Sequence, residues 1–313
     1  LDIRTVVGNA SYPTVLEAAG TPDADILVAL TSSDEVNMMA CEVAYTLYRT
    51  PTKIARIRSS EYIKHPKLFS DEALSVDVWI SPEQLVTEYV ERLIRHPGSL
   101  QVLDFADGKV RLVGLRARKG GPLVGQALRT VRGHIPTVDA RVLAIYRAGR
   151  SVVPTGDTVI EDGDEVFFLA ARDDIGQMMA ELRKAESPVR RVVIAGGGHI
   201  GFQLARQLEK QNQVKVIERD PKRARRISEL LESAIVLEGD ATDEALLVEE
   251  NVDSCDVFAA LTNAEEANIL SAMLAKRLGA SKVMALINKP SYADLMERDN
   301  IDIAISPQTI TIG

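Results

Sequence analysis

The chain is expected to fold as two Rossmann-like α/β subdomains with parallel sheets, the first lacking its N-terminal part, separated by a small α+β domain. A duplication is the first observation. Sliding the sequence by 231 positions aligns Asp25-Ile-Leu-Val-Ala-Leu-Thr31 with Asp256-Val-Phe-Ala-Ala-Leu-Thr262. The same shift pairs Glu35 with Glu266, Asn37 with Asn268, Ala44 with Ala275 and Leu47 with Leu278, eight identities in 23 positions. The second observation is a glycine-rich turn, Gly196-Gly197-Gly198-His199-Ile200-Gly201, upstream of Gly239-Asp240-Ala241-Thr242. That tetrapeptide matches Gly8-Asn9-Ala10-Ser11, so the first copy's glycine turn would lie before Leu1. The chain is therefore expected to be a piece of a longer duplicated protein. The third observation is a change of rhythm between the copies, where strand–helix alternation gives way to paired strands.

In chain order, residues 5–7 are expected as a short strand ending at Gly8 and residues 12–19 as a short helix. Residues 25–30, a continuous apolar run, suit a strand buried on both faces. Residues 34–48 place Met38, Cys41, Ala44, Tyr45 and Tyr48 at helical spacing. Residues 53–58 form the next strand, and Trp79-Ile80-Ser81-Pro82 ends a later one. Pro82 then opens a helix carrying Leu85, Val86, Tyr89 and Leu93.

From about Leu100, residues 101–105 and 110–117 read as strands joined at the turn signal Asp107-Gly108. A helix is expected over 124–131, after Gly120-Gly121-Pro122. Strands at 141–146 and 151–154 flank Ala148-Gly149, and another at 165–170 follows Glu161-Asp162-Gly163-Asp164. A helix over 173–184 closes this domain, and Ser187-Pro188 marks its end. From Arg190 the alternation returns, with strands at 192–195, 214–218 and 234–237 and helices after the glycine turn and over 221–231. This is the doubly wound pattern. The expected domains are 1–96, 97–187 and 188–313.

The bulk numbers narrow the function class. A net charge of -8 and a pI near 5.2 argue against a nucleic-acid binder, which usually presents a basic face. No apolar run reaches the roughly 18 residues of a membrane span, so membrane contact is expected only through another protein. Two cysteines, Cys41 and Cys255, sit far apart in apolar surroundings, which suits a reduced, cytoplasmic setting without disulfides.

Each glycine of the turn has a mechanical reason. Gly196 permits the tight turn, Gly198 lets backbone approach a pyrophosphate, and Gly201 allows close helix–strand packing. The helix that follows offers free N–H groups and a positive dipole end to phosphates. Glu218, 20 positions after Gly198, can accept hydrogen bonds from a ribose diol and disfavours a 2′-phosphate, so NAD(H) is preferred over NADP(H). Arg219 can alternatively serve the phosphates of ATP or ADP. Lys222, Arg223, Arg225 and Arg226 read most simply as a solvated helix face.

Asp240 and Thr262 end the third and fourth strands, the ligand-bearing edge of an open α/β sheet, and Asn9, Thr31 and Ser32 match them in the first copy. These residue types also cap helices and form turns, and both readings stand. Arg56, in Ala55-Arg56-Ile57-Arg58, has no arginine at its counterpart in Ala285-Leu286-Ile287-Asn288. Its guanidinium needs a partner, either a phosphate or a carboxylate.

Four histidines, His65, His96, His134 and His199, show no metal-ligand spacing, and no nucleophile motif stands out, so neither a metal nor a catalytic residue is expected. A nucleotide bound without chemistry acts as a signal. The alternative is an NAD-dependent oxidoreductase that uses the second unit for hydride transfer.

These segments resemble the regulatory subunits of bacterial Trk potassium uptake systems, built from two tandem RCK (KTN) units. The resemblance rests on Leu30-Thr-Ser-Ser-Asp-Glu-Val-Asn37, Ala55-Arg-Ile-Arg58, Gly120-Gly-Pro-Leu-Val-Gly125, Val159-Ile-Glu-Asp-Gly-Asp-Glu-Val166, Gly196 to Gly201, Ile217-Glu-Arg-Asp220 and Ile305-Ser-Pro307, and spans the whole chain. In that family each Rossmann-like subdomain precedes a small ligand subdomain. The resemblance implies NAD(H) or ATP/ADP contacts at Gly196, Gly197, Gly198, His199, Ile200, Gly201, Glu218 and Arg219, and in the first copy at Asn9, Thr31, Ser32 and Arg56. It also implies a homo-oligomer, a tetramer, at the inner face of the cell membrane, gating a membrane-embedded TrkH-type potassium channel. Relative to that family the chain is expected to lack the first glycine loop and a second small subdomain after Gly313.

Overall fold

The computed structural model describes residues 4–106, 108–183, 188–289 and 301–312. Contacts divide the chain into two units that meet in sequence near Leu85.

The first unit runs α1 (Pro13–Ala19), β1 (Ile26–Ala29), α2 (Asp34–Tyr48), β2 (Thr52–Arg56), α3 (Ser60–Ile63) and β3 (Val78–Ile80). Its strands form a parallel sheet in the order β1-β2-β3, with Ala29 beside Ala55 and Arg56 beside Ile80. Ser33 caps α2 by accepting the N–H of Val36, while Asp34 and Glu35 lie in its first turn against the helix dipole. Met38, Ala40 and Cys41 then bury one stripe of α2 against Ala29, Ala55, Ile57, Phe69 and Val76. The small residues Ala29, Ala40, Ala44 and Ala55 let helix and sheet approach closely.

Two expectations change here. Residues 5–7 form no strand: they bond to no neighbour strand among the described residues, and Val6 and Val7 are exposed. The run 25–30 is not buried on both faces. Ile26, Val28 and Leu30 are more than half exposed, because β1 pairs with β2 alone among the described strands.

The second unit takes in most of α4 (Pro82–Arg95), then β4 (Ser99–Phe105), β5 (Val110–Arg116), α5 (Val131–His134), β6 (Ala140–Arg147), β7 (Arg150–Val152), β8 (Glu165–Ala171) and α6 (Ile175–Leu182). These strands form an antiparallel sheet ordered β4-β5-β8-β6-β7. Val86, Val90 and Leu93 of α4 and Met178 and Leu182 of α6 share one buried cluster with Val102, Val113, Val166 and Phe168 from the strands. The helix expected over 124–131 is absent. Val124 and Ala127 bridge to Ile160 and Val159, Gly125 turns with φ +86°, and helical turns begin only at Leu128. Asp107 of the expected hairpin turn, Lys184 of the closing helix and Ser187 of the boundary lie outside the described residues.

The same unit continues with β9 (Arg191–Ala195), α7 (His199–Leu208), β10 (Gln213–Glu218), α8 (Pro221–Leu230), β11 (Ile235–Glu238), α9 (Glu244–Glu249), β12 (Val257–Ala260), α10 (Glu265–Leu278), β13 (Lys282–Leu286) and β14 (Ile303–Ile305). All six strands are parallel, ordered β11-β10-β9-β12-β13-β14. The strand order reverses between β9 and β12. In doubly wound sheets the crevice above that switch point, at the carboxyl ends of the strands, is the ligand-binding place. With β9 and β13 on either side, every residue of β12 is buried.

Candidate functional site

The glycine turn leaves the C-terminal end of β9 at the switch point. Gly196 has φ +104° and donates its N–H to the Ile217 carbonyl at 2.8 Å, and a Cβ there would lie 2.9 Å from Thr262 Cγ2. At Gly201 a Cβ would stand 1.9 Å from the Gly196 carbonyl oxygen, so only glycine permits this packing of α7 on the turn. Gly198 differs from both. Its φ is -68°, which any residue adopts, and a Cβ there would meet nothing within 4 Å. The protein's own packing does not require glycine at 198. Among the described residues no side chain caps the N-terminus of α7, and an uncapped helix start is a place where free N–H groups can receive an anion. His199 is exposed and Ile200 half-buried.

Glu218 ends β10 beside this turn and is only 6% exposed. Its Oε2 accepts the Gly197 N–H at 2.9 Å and Arg223 Nη1 at 3.3 Å, and its Oε1 accepts the Asp220 N–H at 2.8 Å. Arg219 is exposed, 3.9 Å from the Asp240 carboxylate. Asp240, at the end of β11, accepts the Thr242 N–H at 2.9 Å and hydroxyl at 2.7 Å. Those two bonds, with a smaller contribution from Arg219, hold its carboxyl below the usual range. Gly196 to Gly201, Glu218, Arg219, Asp240 and Thr262 therefore stand at the carboxyl ends of four adjacent strands, β9 to β12.

The duplicated polar residues repeat their hydrogen bonds. In the second unit Asn268 Oδ1 accepts the N–H and hydroxyl of Thr262 at 2.9 and 2.6 Å, while its Nδ2 donates to the Thr262 and Leu286 carbonyls. In the first, Asn37 Oδ1 accepts the N–H and hydroxyl of Thr31 at 2.7 and 2.6 Å, and its Nδ2 donates to the Thr31 and Arg56 carbonyls. Both asparagines are fully buried, and each ties two strand ends to a helix. Asn9 holds Ser11 as Asp240 holds Thr242. Buried Asp34 and Glu265 each accept a backbone N–H from the loop after the neighbouring strand, at Arg58 and Lys289. The hydroxyls of Thr31 and Thr262 are thus engaged by the fold itself.

Ser32 is exposed, and its carbonyl accepts Arg58 Nη2. Of the two partners weighed for Arg56, a carboxylate is present: its Nη2 pairs with Glu83, in the first turn of α4. The sequence reading missed Arg223, placing it on a solvated helix face. A signal was available, since Asp220 is an N-cap residue and side chains at the third helical position reach back toward the N-terminus.

Elsewhere, Cys41 and Cys255 are free and buried, and burial pushes both thiols up to about 12. No cluster of three metal-ligating side chains occurs among the described residues, and none of their helices is long and apolar enough to cross a membrane. A cavity of about 660 Å³ lies at the opposite edge of the six-stranded sheet, lined by Arg191, Gln213, Lys215, Ile235 and Cys255 among others, away from the glycine turn.

A family model for the TrkA-N domain matches residues 1–82 and again 192–307, and one for the TrkA-C domain matches 112–183. The chain belongs to the TrkA family. The Trk system potassium uptake protein TrkA of Halomonas elongata is 58% identical over 313 residues, all of this chain and 68% of that protein. The TrkA of Vibrio alginolyticus is 55% identical over the same coverage. Among solved structures, the GsuK RCK domain superposes with a TM-score of 0.71 at 19% identity, covering 97% of this chain and 64% of its own. The GsuK channel bound to NAD follows at 0.69 and 19%, covering 97% and 53%. GsuK bound to ADP gives 0.55 and 15%, covering 97% and 54%. At these identities the likeness establishes the fold of a TrkA chain: two Rossmann-like sheets and an antiparallel α+β domain, as expected.

Proposed function

We propose that this TrkA chain is a regulatory subunit that binds an adenine nucleotide at the carboxyl edge of the six-stranded sheet and gates a TrkH-type potassium channel. The observation that carries the reading is Gly198: a glycine its own fold does not need, at the uncapped start of α7, beside a buried ribose-type acid. NAD(H) is the preferred ligand because Glu218 disfavours a 2′-phosphate, and ATP or ADP are the alternatives. The solved GsuK structures with NAD and with ADP support both. Gly196 to Gly201 cradle the phosphates, Glu218 takes the ribose, and Arg219 and Asp240 flank it. In the first unit Asn9, Thr31, Ser32 and Arg56 occupy the equivalent edge. The working domains are 1–96, 97–187 and 188–313. The nucleotide is a signal rather than a substrate, and its binding biases a homo-oligomeric ring, a tetramer, at the cytoplasmic face of the membrane. A ligand can shift that ring only through differential affinity for its two states.

The test is a titration of NAD+, NADH, ATP and ADP against the full-length protein, wild type and Gly198→Asp. Binding that Gly198→Asp removes without changing the unliganded melting temperature supports the reading; identical affinities for all four ligands in both proteins overturn it. Turnover of NADH with a small substrate would favour an oxidoreductase instead.

A further inference from the structure

We propose that Arg223 is a built-in competitor for the ribose subsite: it must leave Glu218 before a ribose diol can bind there. The inference rests on the nucleotide reading above and adds a specificity-determining residue to it. A carboxylate offers about four lone-pair sites. On Glu218 three are taken, by the N–H groups of Gly197 and Asp220 and by Arg223 Nη1. A ribose diol brings two hydroxyl donors, so one occupant has to yield.

The two backbone donors are fixed by the fold. Gly197 sits in the turn between β9 and α7, where even a Cβ would come within 2.5 Å of Ile227 Cδ1. Asp220 is the N-cap of α8, its Oδ1 accepting the Arg223 N–H at 2.8 Å. Arg223 is different. Its contact is the longest of the three, 3.3 Å, and its side chain is half exposed. The guanidinium can swing into water because it is half exposed, and the two backbone N–H bonds remain on the carboxylate when it leaves.

Two consequences follow. An empty site keeps its buried carboxylate satisfied without ligand, which spares the unliganded protein an unpaired charge. The exchange also blunts the preference for the diol: a ligand with both hydroxyls has to displace Arg223, whereas one with a single hydroxyl takes the fourth lone-pair site beside it.

The experiment measures dissociation constants of ADP and 2′-deoxy-ADP for the full-length protein as wild type, Arg223→Met, Arg223→Lys and Gly198→Asp. With the competitor removed, Arg223→Met should bind ADP about two- to five-fold more tightly, the factor expected when one long, half-exposed ion-pair contact no longer has to be broken. Its preference for ADP over the deoxy analogue should widen, and Arg223→Lys should stay near wild type. A loss of affinity or an unchanged ratio in Arg223→Met, with wild-type binding still abolished by Gly198→Asp, overturns the competitor while leaving the nucleotide site standing. Absence of any binding sensitive to Gly198→Asp overturns the nucleotide reading itself. General damage to the fold weakens both ligands together and cannot produce the expected gain.

Discussion

Lys53 and Asp77 form an ion pair at 2.9 Å in the first copy, and the second copy keeps the aspartate while drawing the cation from a different element. Lys53, on β2, bonds the Asp77 carboxylate and reaches the Thr50 carbonyl, with its ammonium 4.9 Å from the Tyr45 ring centre. In the second copy the corresponding strand position is Val283 and the corresponding helix position, opposite Tyr45, is Lys276. Lys276 bonds Asp302, the counterpart of Asp77, at 2.8 Å and the Ser281 carbonyl at 3.0 Å. Asp77 and Asp302 also accept the backbone N–H of Lys53 and Val283. One electrostatic requirement is met from the strand in one copy and from the helix in the other.

This predicts an asymmetry between partners. Lys53 is almost wholly buried while a third of Asp77 is exposed. Asp77→Asn strands a buried ammonium and should destabilise by about 3 kcal/mol. Lys53→Val leaves a carboxylate that water can reach and should cost less, and adding Tyr45→Lys should restore part of the loss. Thermal unfolding of the three variants checks the order; equal losses for Asp77→Asn and Lys53→Val would refute it.

Asn268 is predicted to couple stability to the nucleotide site. Its side chain satisfies the Thr262 N–H and the Thr262 and Leu286 carbonyls in a fully buried place. Asn268→Ala leaves these groups unpaired and should cost about 2–3 kcal/mol. Because Thr262 packs under Gly196, nucleotide affinity should fall with it. Melting temperature and titration on the same sample decide whether the two losses travel together.

The glycines should separate by mechanism. Gly201→Ala drives a methyl into the Gly196 carbonyl, so it should lower the melting temperature without nucleotide present. Gly198→Ala meets no protein atom at an ordinary φ and should leave that temperature unchanged or raise it, by up to about 1 kcal/mol of stability. Its whole penalty should show in nucleotide affinity. A melting loss at Gly198→Ala equal to that at Gly201→Ala would remove the distinction.

Acid should unsettle the antiparallel domain through Asp164. Burial pushes this carboxyl upward, but the bidentate Arg147 guanidinium and the Glu161 N–H outweigh it and hold it below the ordinary range. A carboxyl depressed in the folded state contributes stability that is complete above its unfolded pKa, about 4, and is lost as pH falls through the folded value. Asp164→Asn should cost about 2 kcal/mol at pH 7 and flatten the dependence of melting temperature below pH 4. An unchanged acid slope in the variant would place the sensitivity elsewhere.

Much of this was legible in residue order, because its causes are local. Alternating apolar runs and helical spacing produced the two parallel sheets, and the internal repeat located equivalent strand ends at Thr31 and Thr262. The roles of Gly196 and Gly201 followed from dihedral freedom and close packing, which a sequence can express directly. The segment 124–131 was misread because its partner, residues 159–160, pulls it into a bridged loop that periodicity does not reveal.

The sequence by itself determined the duplication, the doubly wound pattern and the phosphate-type turn, since these depend on neighbours a few positions apart. Tertiary structure alone decided who bonds whom. It committed the hydroxyls of Thr31 and Thr262 to buried asparagines, gave Arg56 the carboxylate of Glu83, and put the Arg223 guanidinium on Glu218. Hydrogen bonds and ion pairs are set by distances of a few ångströms between groups that the chain brings together only on folding, and no local rule encodes them.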